Sequence, residues 1–324
     1  MKKATRYLAV APVFAIALAG CGGTSGNPSS TASGTSSAAS GDCSSPQVFC
    51  VGLVTDTGKV DDKSFNQAAW EGVQAVQSSL GAQVKYIETK DAKDYASNIK
   101  QFTDQKYDVI VTVGFLMGQA SIDAAKANPT TKFIGVDQDQ SAGTVDNLTG
   151  LVFPEDQAGY AAGYLAGLMT KTNKIGDVLG LEIPPVQKFA KGYEAGAKAA
   201  NPKVTVTHVY HPAGDNGFSD PVWGAGEAKK QLAQGVDIIF GAGGGTGNGA
   251  LGEVAKTKGA GTSLFCIGVD IDQWSTVPEA QPCLITSAEK LITQGVSDLL
   301  TAAKGGSIKG GNFLGKAGLA PYHD

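Results

Sequence analysis

Two segments from different halves of the chain restrict its fold most. Ile134-Gly135-Val136-Asp137-Gln138-Asp139-Gln140 is answered by Ile267-Gly268-Val269-Asp270-Ile271-Asp272-Gln273, a short apolar run that ends on Asp in both places. Upstream of each stands a second matched pair, Tyr107-Asp108-Val109-Ile110-Val111 and Val236-Asp237-Ile238-Ile239-Phe240. Ordered repetition of this kind implies two similar lobes. Between the repeats, short continuous apolar strands alternate with helices, the pattern of a parallel sheet covered on both faces. The expected fold class is therefore α/β, with two similar parallel-sheet lobes. In open sheets of this type the ligand crevice borders the carboxyl ends of the strands, which would bring Asp137 and Asp270 to one cleft. The alternative, that each Asp merely caps its turn, stays open.

The first βα unit carries a second signal. The apolar run Val48 to Val54 and the turn Asp56-Thr57-Gly58 lead into Asp61-Asp62-Lys63-Ser64-Phe65-Asn66, with Asp62 or Ser64 as helix N-cap. A phenyl ring beside a carboxamide at the carboxyl end of a strand suits a planar polar ligand, which the ring stacks on and the amide bonds. Core packing for Phe65 and a solvated Asn66 is the competing reading.

With 324 residues, 42% of them hydrophobic, the chain is long and apolar enough for two cores. Its N-terminus sets the compartment. Lys2, Lys3 and Arg6 precede an apolar run from Tyr7 to Leu18, too short for a usual spanning helix, and Leu18-Ala19-Gly20-Cys21 closes it. This resembles a lipoprotein signal, so Cys21 is expected to be lipidated, anchoring the mature chain on the extracytoplasmic face of a bacterial cell membrane. Residues 22–41 are nearly all Gly, Ser, Thr and Ala and cannot bury enough surface to fold, hence a tether. The expected division is signal peptide 1–20, tether 21–46, first lobe 47–153, second lobe 154–283, and crossover with return to the first lobe 284–324. Formal charge is −4, and losing the three bases of residues 1–20 makes it −7. That balance argues against nucleic acid, which needs a basic face. Cys43, Cys50, Cys266 and Cys283 remain, an even number in an oxidising space; the local pairings Cys43 with Cys50 and Cys266 with Cys283 are favoured among three possibilities. No metal is expected, since His208 and His211 have no Cys or third His near them in sequence to complete a ligand set.

Later in the chain, Gly241 to Gly249 reads as a glycine-rich loop, Leu284 to Ser287 as an interlobe crossover strand, and Ala288 to Ala303 as an amphipathic helix carrying Lys290 in its first turn. A Lys there opposes the helix dipole, which raises the case for its pointing at a ligand, although a solvated surface Lys is the default on this observation alone.

The ordered set Val54-Thr55-Asp56, Asp61 to Gln67, Pro185-Val186-Gln187-Lys188-Phe189 with Gly192 to Gly196, Gly243 to Gly247, Ile267 to Asp270, and Thr286 to Lys290 resembles the basic membrane protein family of ABC-transporter substrate-binding lipoproteins. The resemblance implies a type I periplasmic-binding-protein fold: two Rossmann-like parallel-sheet lobes with a hinge, three crossovers and a ligand held between the lobes. It implies Phe65 and Phe189 on opposite faces of a nucleobase, Asp56, Asn66 and Asp137 near the base edge, and Gly243, Asp270 and Lys290 on the ribose. It also implies a nucleoside ligand, an ABC permease as partner, no cofactor, no catalysis and a monomer. A sugar or polyol alone would not need two phenyl faces. An exported nucleoside hydrolase would need clustered carboxylates with a metal or a paired acid and base. The Gly243 to Gly249 run also resembles the phosphate loop of tubulin-like GTPases, but no Walker-type Lys follows it.

Overall fold

Strand after strand ends at the same cleft because the chain builds one α/β topology twice. The computed structural model describes residues 41–323, all within one compact unit; the expected signal peptide, Cys21 and most of the tether lie outside the described residues. The chain runs β1 (Cys50–Thr57), α1 (Phe65–Leu80), β2 (Gln83–Thr89), α2 (Tyr95–Asp104), β3 (Val109–Val113), α3 (Gly118–Ala127), β4 (Lys132–Val136) and β5 (Leu148–Val152). It continues as α4 (Glu155–Met169), β6 (Lys174–Leu179), α5 (Pro184–Ala200), β7 (Thr205–Tyr210), α6 (Pro221–Ala233), β8 (Ile238–Ala242), α7 (Gly244–Lys256), β9 (Phe265–Asp270), α8 (Gln273–Thr276) and β10 (Leu284–Lys290). α9 (Ile292–Lys304), β11 (Gly311–Leu314) and β12 (Ala317–Leu319) follow.

The first sheet has the order β2-β1-β3-β4-β5-β11 and the second β7-β6-β8-β9-β10-β12, the same topology in each lobe. All pairings are parallel except β12 on β10. β1, β3 and β8 are buried along their whole length, which is why they read as unbroken apolar runs. One face of the first sheet packs on α1 and α9 through Val73, Val76, Val296 and Leu300; the other carries Ile99, Phe102 and Phe133. In the second lobe Ala162, Tyr193 and Phe240 fill one face, and Leu251, Val254 and the Cys266–Cys283 disulfide fill the other. A second disulfide joins Cys43 to Cys50 at the start of β1.

The two repeated pairs of aspartates have divided their work. Asp108 and Asp237, just before β3 and β8, are structural: Asp108 accepts the Cys50 N–H at 2.7 Å, and Asp237 accepts from Lys171 and Thr172 N–H at 2.6 and 2.9 Å. Each thereby holds the start of the neighbouring strand. Asp137 and Asp270, at the opposite strand ends, adopt left-handed backbone with φ of 60° and 68°. Such conformations are costly for residues other than glycine and concentrate at functional sites.

Four expectations differ. Lys290 is the last residue of β10, not part of a helix; pairing with β9 and β12 holds Leu284–Lys290 extended, so the dipole argument for it falls away. Because β10 lies in the second sheet, the return to the first lobe starts with α9, which packs on α1, rather than at residue 284. β12 then rejoins the second sheet, so residues 317–319 do not stay with the first lobe. The chain thus passes between the lobes three times, after β5, after β10 and after β11. Finally, most of the glycine-rich loop is helical, since α7 begins at Gly244.

Candidate functional site

A cavity lies between the lobes, at the carboxyl ends of both sheets, with about 60 Å³ of room for water-sized spheres; such crevices are where ligands of open α/β sheets bind. Its lining includes Asp56, Phe65, Asn66, Asp137, Phe189, Gly243, Asp270 and Lys290, so the structure brings together all eight residues expected to contact a ligand. Asp56 comes from the end of β1, Phe65 and Asn66 from the first turn of α1, and Asp137 follows β4. From the second lobe come Phe189 on α5, Gly243 after β8, Asp270 at the end of β9 and Lys290 at the end of β10. His208 and His211 are absent from the lining; Asp177 Oδ2 lies 2.6 Å from His208 Nδ1, and the Pro212 carbonyl 2.7 Å from His211 Nδ1.

Lys290 is the electrostatic centre. It is only 3% exposed, with Nζ 2.6 Å from Asp137 Oδ2, 3.8 Å from Glu155 Oε1 and 4.0 Å from Asp270 Oδ1. Burial alone would lower its pKa, but the carboxylates of Asp137, Asp270 and Glu155 outweigh that and hold it above the usual lysine value. Nζ also lies 4.6 Å from the Phe65 ring centroid and 5.8 Å from that of Phe189, within cation–π range of both. The cation therefore binds the two lobes' charges and touches both rings.

The carboxyls pull the other way. Burial raises the pKa of Asp270, offset in part by Lys290 and by the Ser64 hydroxyl, which donates to Oδ2 at 2.7 Å. Burial likewise raises Glu155, against the pull of Lys290. Asp62 is pushed up to about 7 by loss of solvent, even though its carboxylate accepts the N–H groups of Asn66, Gln67 and Ser64, each at 3.0 Å. That carboxylate, not the Ser64 side chain, caps α1. Asn66 Oδ1 and Asp137 Oδ1 are buried without a hydrogen-bond partner, two acceptors presented to the cavity by residues that line it. The arrangement can stack flat rings and accept from several N–H or O–H donors, and it holds one cation for a hydroxyl.

Asp56 offers a separate electrostatic test. Burial, with the Asp62 and Asp137 carboxylates nearby, raises its pKa well above the usual carboxylate range, and no described residue donates a hydrogen bond to its side chain. Its carboxyl fits only because residue 114 is glycine: a Cβ there would sit 2.0 Å from Asp56 Oδ2, at a backbone φ of 115°. A carboxyl whose native pKa is raised binds its proton more tightly folded than unfolded, so its contribution to stability is present in acid and is lost as pH rises from about 4 through the native value. Asp56→Asn removes that loss. By scanning calorimetry the variant is expected to melt at least about 2 °C above wild type at pH 8, for a gain of about 1 kcal/mol or more, with the advantage shrinking toward pH 5. Equal melting at pH 8 would contradict it.

Four contributors went unassigned from sequence. Phe115 lies two residues past the end of β3 and lines the cavity, and the carboxyl-end rule alone points to it. Phe218, a lone aromatic in the polar stretch Asn216 to Asp220, lines it too. Asp62 was expected only as a cap. Glu155, an acid in the first turn of α4, reads as an ordinary dipole partner, yet it is 2% exposed and braces Lys290. Among the described residues no cluster of His, Cys, Asp or Glu could hold a metal ion, and no helix is long and apolar enough to cross a membrane.

Comparison with known proteins agrees with this geometry. Residues 49–315 match the Bmp family, described as ABC transporter substrate-binding protein PnrA-like. The chain is 34% identical over 329 residues to the CD4+ T-cell-stimulating antigen of Listeria innocua, covering 97% of this chain and 88% of that protein. It is 33% identical over 321 residues to the ABC transporter nucleoside-binding protein BmpA of Lactococcus lactis, covering 94% and 87%. Among solved structures, an ABC transporter solute-binding protein from Aeropyrum pernix superposes with a TM-score of 0.77 at 26% identity, covering 84% of this chain and 76% of that one. The two hinged parallel-sheet lobes are thus a periplasmic-binding-protein fold. The chain belongs to the Bmp family of PnrA-like ABC transporter substrate-binding proteins, an extracytoplasmic family.

Proposed function

We propose that this protein binds a purine nucleoside between its lobes and delivers it to an ABC permease, as a lipid-anchored monomer without catalytic activity. The observation that carries the reading is the pairing of two phenylalanines with an acid-rich, singly basic pole in one cavity. Phe65 and Phe189 supply stacking for a base, worth about 1–3 kcal/mol per ring. Asn66 and Asp137, with free acceptors, suit the N–H groups of a base edge, and Asp56 stands beside them. Asp270 accepts from the ribose hydroxyls, and Lys290 donates to one. Four aspartates against one engaged lysine leave no charge for a phosphate, so the free nucleoside is favoured over its nucleotide. The name of the Lactococcus lactis relative, a nucleoside-binding protein, supports the class of ligand. The Leu18 to Cys21 segment supports the anchor.

Nucleoside hydrolysis is the rival reading. Thermal-shift measurement with guanosine and inosine, followed by chromatography of the same samples, separates the two. The proposal expects a rise in melting temperature and intact nucleoside; release of free base and ribose would establish an enzyme.

A further inference from the structure

The loop that puts Phe65 and Asn66 on the cavity is also held by the second lobe through its backbone. Asn248 on α7 donates from Nδ2 to the Asp62 carbonyl at 2.9 Å. The Lys63 carbonyl accepts from Gln273 Nε2 at 3.1 Å and from Thr276 Oγ1 at 3.0 Å. Lys63 has left-handed backbone, with φ of 62°, a conformation rare for a long side chain. Its ammonium pairs with Glu279 at 3.1 Å, but both side chains are over 40% exposed, and such a pair adds little.

Gln273 joins this contact to the ligand site. It is fully buried, and its amide is used at both ends. Oε1 accepts the Val269 N–H at 2.9 Å, one residue before Asp270, while Nε2 reaches across to Lys63 and also donates to Asn248 Oδ1 at 2.7 Å. The corresponding residue of the first repeat, Gln140, makes no such crossing; its Nε2 bonds the Gln138 carbonyl within its own lobe.

We infer that Gln273, Asn248 and Thr276 form a closure latch: they are positioning residues that grip the Asp62–Lys63 backbone when the lobes meet and, through Val269, fix the ligand carboxylate Asp270 in the same act. The latch touches no ligand atom in this scheme. It acts on how long the cleft stays shut, so it governs dissociation rather than encounter. The inference rests on the cleft being the nucleoside site.

The test uses Asn248→Ala with Thr276→Val, both partly exposed positions outside the cavity lining, and Gln273→Leu as the more severe change. Stopped-flow measurement with guanosine is expected to show dissociation about tenfold faster in the double variant, with association within about twofold of wild type. Small-angle X-ray scattering at saturating guanosine is expected to show a more open particle. Dissociation and scattering both unchanged, with native circular dichroism, would overturn the latch. Should wild type bind no guanosine, the nucleoside reading fails instead, and scattering without ligand still decides the latch: a wider particle in the double variant supports it and identical profiles overturn it. If Gln273→Leu does not fold, the double variant decides alone.

Discussion

Replacing Lys290 by Met is expected to melt the protein roughly 10 °C early at pH 7.5 and to abolish measurable nucleoside binding. The methionine keeps the apolar stem, so packing is conserved, but Asp137 and Asp270 lose their shared cation, and Glu155 keeps only the half-exposed Lys188, 3.1 Å away. Removing one partner of a buried ion cluster costs about 3–5 kcal/mol, because the remaining charge is unpaired, and in a chain of this size each kcal/mol shifts melting by about 2–4 °C. The sign of the pH dependence follows. Asp270 and Glu155 already have raised pKa values through burial with Lys290 holding them down, and losing that restraint raises them further. Their stabilising contribution is then present in acid and lost as pH rises, so the variant recovers part of its stability between pH 8 and pH 5. Calorimetry across that range checks it. A variant that melts like wild type at every pH would mean that the cluster carries little energy.

Phe65→Ala and Phe189→Ala are expected to separate binding from folding. Both rings line the cavity, and losing either stack should weaken a nucleoside by about tenfold to a hundredfold. Their surroundings differ. Phe65 is partly exposed on the first turn of α1, whereas Phe189 is 3% exposed and meets Phe240 edge-on at 5.9 Å inside the second-lobe core. Truncating a buried phenylalanine costs about 3–5 kcal/mol through lost contacts and the cavity left behind. Phe65→Ala should therefore keep nearly wild-type urea stability while losing affinity, and Phe189→Ala should lose both. Equal unfolding midpoints for the two variants would show that Phe189 is not a core residue, and unchanged affinity in both would remove the stacking assignment.

The parts of this molecule legible in its sequence are those where local pattern and tertiary environment agree. Central strands such as Val109–Val113 and Ile238–Ala242 are buried on both faces, so their apolar runs speak directly. The repeated Asp137 and Asp270 mark the same strand ends in two lobes, which is why a cleft could be placed between them without any measured contact. The sequence pattern points Lys290 toward the cleft, which it lines, but sets it on a helix where the structure has a strand. Ala288-Glu289-Lys290-Leu291 has strong helix propensity, and only pairing with β9 and β12, neither visible locally, makes it strand. The glycine run misled in the opposite sense. Gly247 and Gly249 read as loop, yet a Cβ at these positions would lie 2.7 Å from the Gly241 carbonyl oxygen and 2.0 Å from that of Pro221. Glycine is there to let α7 approach β8 and α6, a requirement set by distant residues. Glu155 and Phe218 were invisible for the same reason: what brings them to the site is the fold of both lobes rather than anything in their own neighbourhoods.

Isothermal titration of the globular portion with guanosine, guanine and ribose tests the central claim most directly. If one cavity grips a base by its rings and a pentose by Asp270 and Lys290, the whole nucleoside must bind one to one and at least about fivefold more tightly than either fragment, since each pole contributes on the order of 1–3 kcal/mol. Guanine or ribose binding as tightly as guanosine, or no heat with any of the three, would contradict the account.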